Sequence, residues 1–176
     1  AVRQYDGGPV IGSLGGKVGC DRRTGLVTLD VPEAQVAVGF LKDAGRVTLS
    51  DVSIESGNRH LGVAVVALDD RPIADSGQVL VQVSPRSRTT GWQVEADTYT
   101  DPKSKKSTEG WRIVHTGELP FRVENIEGTV RVRNAALTKA TVLHGMGRPR
   151  EKVALAAAGE FVRLRLPTDA LYIVLE

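Results

Sequence analysis

Trp92 and Trp111 stand on either side of a polar stretch, residues 97–110, that contains Tyr99. A flat aromatic ring open to solvent can stack on the apolar face of a sugar while neighbouring polar groups bond its hydroxyls. Gln93, Glu95 and Arg112 are near enough in the chain to supply those groups. A tryptophan is also a common anchor of a β-sandwich core, so two readings of this pair stand: exposed platform or buried anchor. Each follows a glycine, Gly91 or Gly110, at the expected start of a strand and close to a loop. If the flanking strands pair, both rings come to one edge.

The remaining chemistry-bearing residues form no motif. Glycoside hydrolysis needs two carboxyl groups across one bond. Asp69-Asp70 and Glu124 with Glu127 are the candidates, but Asp69-Asp70-Arg71-Pro72 reads as a turn closing a buried strand. His60, His115 and His144 have no metal-ligand spacing, and His60 and His144, in or beside strands, suit hydrogen-bonded packing, so no metal is expected. No Gly-x-Ser-x-Gly elbow marks a nucleophile. Gly12-Ser13-Leu14-Gly15-Gly16 lacks the Gly-Lys-Ser/Thr ending of a phosphate loop. Cys20 is the only cysteine, which excludes an internal disulfide; it reads as a small apolar side chain without an activating partner. No catalytic residue and no cofactor is expected.

Charge points the same way. The 176 residues carry a net +2, but residues 86–152 hold 13 Lys and Arg against 8 Asp and Glu. Nucleic-acid binders usually cluster their charge more densely and interleave aromatics with it, so an excess of this size does not suit a nucleic acid. The basic excess of residues 86–152 favours an acidic or hydroxyl-rich polysaccharide over an apolar ligand. No run of about 18 apolar residues exists to span a membrane. The first residues lack an apolar signal core, and a chain starting at Ala1 reads as a mature form after signal removal or a piece of a multidomain protein. That places it outside the cytoplasm, extracellular or periplasmic.

The elements that must position these residues are strands. Period-two alternation runs through 128–133 and 161–166, which sends valines and leucines inward and Arg131, Arg133, Arg163 and Arg165 into water. The stretch 46–54 alternates with one slip near Asp51, the mark of a bulge. Residues 60–68 and 78–83 are almost continuously apolar and read as buried strands. With 26–31, 34–41, 112–115, 120–124, 139–144 and 171–175 the total is about eleven. Residues 97–110 read as an exposed loop, and 153–158 as a short helix or a strand. The expected fold is all-β: a two-sheet antiparallel sandwich, jelly-roll or immunoglobulin-like. Residues 1–24 form a glycine-rich lead-in or linker and 25–176 the sandwich.

Several runs carry a resemblance. Residues 25–40, with Gly25, Thr28, Asp30, Pro32, Gln35 and Gly39, resemble the opening strand pair of a β-sandwich domain found behind the catalytic barrel of bacterial glycoside hydrolases; Val31 replaces the usual Thr. Residues 63–82, the Gly117–Pro120 turn, Val123-Glu124 with Ile126 and Gly128, and the closing run 170–175 are similar to later segments of that family. The resemblance implies a non-catalytic accessory domain whose partners are a polysaccharide or oligosaccharide and a catalytic domain of the same parent chain. It also leaves a purely structural domain docking to such a barrel. A small jelly-roll enzyme is the third alternative and would rest on Glu124 and Glu127.

Overall fold

The computed structural model describes residues 8–13 and 15–176. The chain divides into two units, one holding residues up to Pro85 together with Asn125–Glu176, the other Arg86–Glu124.

The larger unit contains β1 (Val10–Gly12), β2 (Val18–Asp21), β3 (Leu26–Val31), β4 (Ala34–Gly39), β5 (Val47–Thr48), β6 (Val52–Ser56), β7 (Leu61–Ala67) and β8 (Val79–Pro85) before the break. The smaller unit contains β9 (Ser87–Thr90), β10 (Gln93–Thr100), β11 (Ser107–His115) and β12 (Glu118–Val123). The larger unit resumes with β13 (Gly128–Val132), β14 (Ala140–Leu143), β15 (Pro149–Val153), β16 (Leu155–Ala158), β17 (Phe161–Arg165) and β18 (Tyr172–Leu175). A single helical turn, α1 (Leu41–Ala44), and a 3-10 turn at Ile73–Asp75 bury Leu41 and Ile73.

The larger unit is an antiparallel β-sandwich. One sheet has nine strands in the order β1-β2-β3-β4-β7-β8-β18-β14-β15, and the other has five, β16-β17-β13-β6-β5. Alternation sends Val63, Val65, Val81, Val142 and Ile173 of the first sheet toward Val52, Ile54, Val130, Val132 and Leu164 of the second, and all are buried. Side chains of this size contribute about 1.5–3 kcal/mol each on burial, enough to hold the sheets without staples. Two polar groups tie across the same core: Gln35 on β4 bonds Asp51 in the β5–β6 turn, and Asn134 Nδ2 donates to the Ile73 and Ser76 carbonyls at 2.8 Å each.

Two sequence expectations change and one open reading is resolved. There are eighteen strands among the described residues, not eleven. Some of the added ones lie in the glycine-rich lead-in, where β1 and β2 pair with one another and β2 pairs with β3. Residues 1–7 and Leu14 of that stretch lie outside the described residues. The slip at Asp51 is not a bulge but a tight turn: Thr48 pairs with Ser53, and Leu49 N donates to Val52 O at 2.8 Å. Residues 153–158 are extended, β16 pairing with β17.

Gly39 shows why the β3–β4 pair needs its glycines. It takes φ 147°, and a Cβ there would run into the Gly25 carbonyl.

Candidate functional site

The expected exposed loop 97–110 is instead a two-stranded ribbon. β10 and β11 pair from Thr100–Ser107 to Val94–Ile113, shift once between Gln93 and Val94, and close through residues 101–106. Asp101 organises that closure: its Oδ1 accepts from Lys103 N at 2.7 Å and Ser104 N at 3.1 Å. These bonds hold its carboxyl below the usual carboxylate range. Exposure was expected and is complete: every residue of β10 and β11 is exposed.

Register decides which side chains meet. Directly paired residues share a face, and successive pairs alternate. Val94–Ile113, Ala96–Trp111 and Thr98–Glu109 therefore form one face. Glu95–Arg112, Asp97–Gly110 and Tyr99–Thr108 form the other. Trp111, 72% exposed, and Tyr99, 66% exposed, are back to back across one ribbon rather than side by side.

The Tyr99 face is polar and open. Arg112 lies between two carboxylates, its Nη2 at 3.5 Å from Glu95 Oε2 and its Nε at 3.4 Å from Asp97 Oδ2. Exposed pairs of this kind add at most about 1 kcal/mol to stability, so they are there for geometry more than for strength. Gly110 has nothing where its side chain would be, and a depression of ≈ 330 Å³ lies there beside Tyr99, Asp97, Thr108 and Arg112, with Glu109 and Trp111 also bordering it. An aromatic ring with a carboxylate, a guanidinium and a hydroxyl around a gap can stack one sugar and bond its hydroxyls.

The Trp111 face is mixed. Toward the closure it carries Thr98 and Glu109, and a depression of ≈ 860 Å³ lies beside them. Away from the closure it is apolar, with Val94 and Ile113 both exposed.

Trp92 is not part of either face. It sits in the turn between β9 and β10, half-buried, and the Arg88 guanidinium covers its ring at 5.0 Å. It lies four positions before Ala96, the partner of Trp111, a span of roughly 13 Å along a strand. The expectation that both tryptophans come to one edge is thus replaced by two separate environments. Gln93 is exposed at the register shift, opposite His115. Of the six candidates the ribbon brings Tyr99, Glu95 and Arg112 to one face and leaves Trp111, Trp92 and Gln93 elsewhere.

β9 and β12 form the rest of the unit, pairing Ser87–Val123, Arg88–Arg122 and Thr89–Phe121. Arg88 and Arg122 share a face with Arg86, which pairs with Glu124 at 3.7 Å. Asp97 and Thr108 were not singled out from sequence. The parity of Asp97 with Glu95 and Tyr99 was the available signal.

The other candidates have local roles. Asp69 accepts from Ser76 Oγ at 2.7 Å and Gly77 N at 2.8 Å, as a turn aspartate does, and these bonds lower its pKa. His60 packs edge-on to Phe40 at 5.5 Å, and His115 Nδ1 accepts from Gly117 N at 2.9 Å. Cys20 is free and half-buried. Among the described residues no three His, Cys, Asp or Glu side chains converge as a metal site would need, and no helix is long and apolar enough to cross a membrane. The chain matches no protein-family model, no curated protein and no solved structure.

Proposed function

We propose that the chain is a non-catalytic accessory domain of a polysaccharide-degrading glycoside hydrolase that contacts carbohydrate through the exposed aromatics of the β10–β11 ribbon. The observation that carries this reading is Trp111, an indole 72% exposed with Thr98 and Glu109 beside it. Burying an aromatic of this size against a sugar face is favourable, and it costs little side-chain entropy because only two torsions are fixed. Tyr99 offers a second, smaller platform on the opposite face with Asp97, Arg112 and Thr108. Each face takes one ring, so the ribbon grips a chain by single stacking contacts rather than by a continuous aromatic strip. The proposed setting is extracellular or periplasmic, where such polymers are met.

Retardation in native gels containing soluble β-glucan or xylan tests this. Trp111→Ala should remove most of the retardation and Tyr99→Ala part of it. Equal mobility of wild type with and without every polymer would remove the reading.

A second reading, docking to a catalytic domain of the parent chain, is favoured by a different observation. No residue between Arg86 and Glu124 is buried, yet Val94, Ile113, Leu119, Phe121 and Val123 are all exposed. Two-stranded ribbons are marginal in water, and contiguous exposed apolar area usually marks a contact surface. The docking reading expects Ile113→Ser and Phe121→Ser to leave carbohydrate retardation intact.

A further inference from the structure

The outer face of the five-stranded sheet carries a row of residues running straight across it: Ala156 pairs with Arg163, Arg163 with Arg131, Arg131 with Ser53, and Ser53 with Thr48. Like charges directly opposite one another on antiparallel strands repel, and a fold with no use for the pair gains by separating them. Here they are adjacent, and neither has an acidic partner among the described residues. Arg165 is two residues along β17, on the same face, and is also without one among the described residues.

The two arginines differ in surroundings. The sequence sends Arg131 into water, but it is half-buried and its guanidinium lies over the Phe161 ring at 4.9 Å. Its Nε is buried and finds no acceptor. A stacked guanidinium is held flat with its fork fixed, which pre-orients its terminal N–H groups for an oxyanion. Arg163 is exposed beside the small Ala156, free to close on the same ligand.

The row floors a depression of ≈ 450 Å³ lined by Arg131, Arg163, Ser53, Thr129 and Ala156. It shares Arg46, Glu55 and Thr129 with a second depression of ≈ 660 Å³ that reaches Glu127 and Arg165. Arg46 is paired with Glu55. The groove therefore offers a cationic centre in Arg131 and Arg163, flanked by hydroxyls and carboxylates.

That mixture selects the ligand. A nucleic acid would find no ring to stack on, because Phe161, the aromatic of this face among the described residues, is already covered by Arg131. A sugar acid suits all of the groups: its carboxylate matches the guanidinium fork bidentately, and its hydroxyls donate to Glu55 or Glu127 and bond Ser53 and Thr129. We infer that the cross-strand pair Arg131–Arg163, in the groove on the outer face of the five-stranded sheet, binds the carboxylate of a uronic-acid-containing oligosaccharide. This site is additional to the β10–β11 ribbon and does not depend on it.

Isothermal titration of the whole chain with an oligogalacturonate, its neutral methyl ester and a DNA duplex tests the assignment, using wild type, Arg163→Gln, Arg131→Gln/Arg163→Gln and Trp111→Ala. The oligogalacturonate should bind wild type and Trp111→Ala alike. One charge-assisted contact removed by Arg163→Gln should weaken it roughly 10-fold, with the double variant weaker still. The methyl ester should bind at least about 10-fold more weakly than the acid. Thermal midpoints of the variants at or above that of wild type, as relief of the like-charge pair predicts, establish that the fold is kept. No binding by wild type overturns the inference, as do equal affinities for acid and ester, unchanged binding by the double variant, or tighter binding of the duplex. Loss in Trp111→Ala alone would overturn the groove and leave the ribbon reading standing.

Discussion

The side chain of Gln35 and the residue Asp51 exchange two hydrogen bonds: Gln35 Nε2 donates to Asp51 Oδ2 at 3.0 Å, and Asp51 N donates to Gln35 Oε1 at 2.9 Å. Gln35 belongs to β4 of the nine-stranded sheet and Asp51 to the turn between β5 and β6 of the other, so the pair bridges the sandwich. Both are buried, and Arg133 bonds the second carboxylate oxygen. Every polar group in the bridge has a partner, which is the condition under which buried polarity is tolerated.

Replacing Gln35 by Leu removes both bonds and leaves the Asp51 backbone N–H buried and unpaired. A destabilisation of about 1–3 kcal/mol is expected. Denaturant unfolding with an unchanged slope and a lower midpoint would show it. An unchanged midpoint would mean the bridge is incidental.

Asp101 gives the ribbon a defined acid response. Its folded pKa lies below the ordinary 3.8 because the backbone N–H groups of Ser104 and Lys103 bond the ionised form. Its contribution is therefore complete above pH 3.8 and fades as pH falls through the lower folded value. NMR titration should find the Asp101 carboxyl titrating below 3.8, with the amide signals of Lys103 and Ser104 moving together with it. Asp101→Ala should show the shifted signals at neutral pH. A carboxyl titrating at or above 3.8 would contradict the turn geometry.

Arg88 shields Trp92 from solvent. In a Trp111→Phe background, Arg88→Ala should move the remaining indole emission to the red with little change in stability, since an exposed cation–π contact is worth about 0.5–1 kcal/mol. Emission at the same wavelength would mean the guanidinium does not cover the ring in solution.

How much of this could be read from the chain varies with burial. In β13 and β17 the alternation of valine or leucine with arginine places Val130, Val132, Val162 and Leu164 inside, and the structure agrees. In β10 and β11 both faces are exposed, and residues 97–110 carry no apolar position except Tyr99, so that part of the ribbon reads as loop while 112–115 reads as strand. Whether Tyr99 and Trp111 share a face depends on the parity of their pairing, and only the partner strand sets that. The same holds for Arg131 and Arg163, whose adjacency comes from the β13–β17 register across a long stretch of chain. The break at Asp51 looks like a bulge because a bulge and a tight turn interrupt alternation in the same way; the Leu49–Val52 bond distinguishes them.

The central claim is that Trp111 meets carbohydrate, and a single-tryptophan protein reports on it directly. In Trp92→Phe the only indole is Trp111, and titration with soluble β-glucan and xylan should shift its emission to the blue in a saturable manner with at least one polymer. Emission that stays at the free-indole wavelength with every polymer, together with no retardation in affinity gels, would contradict the claim.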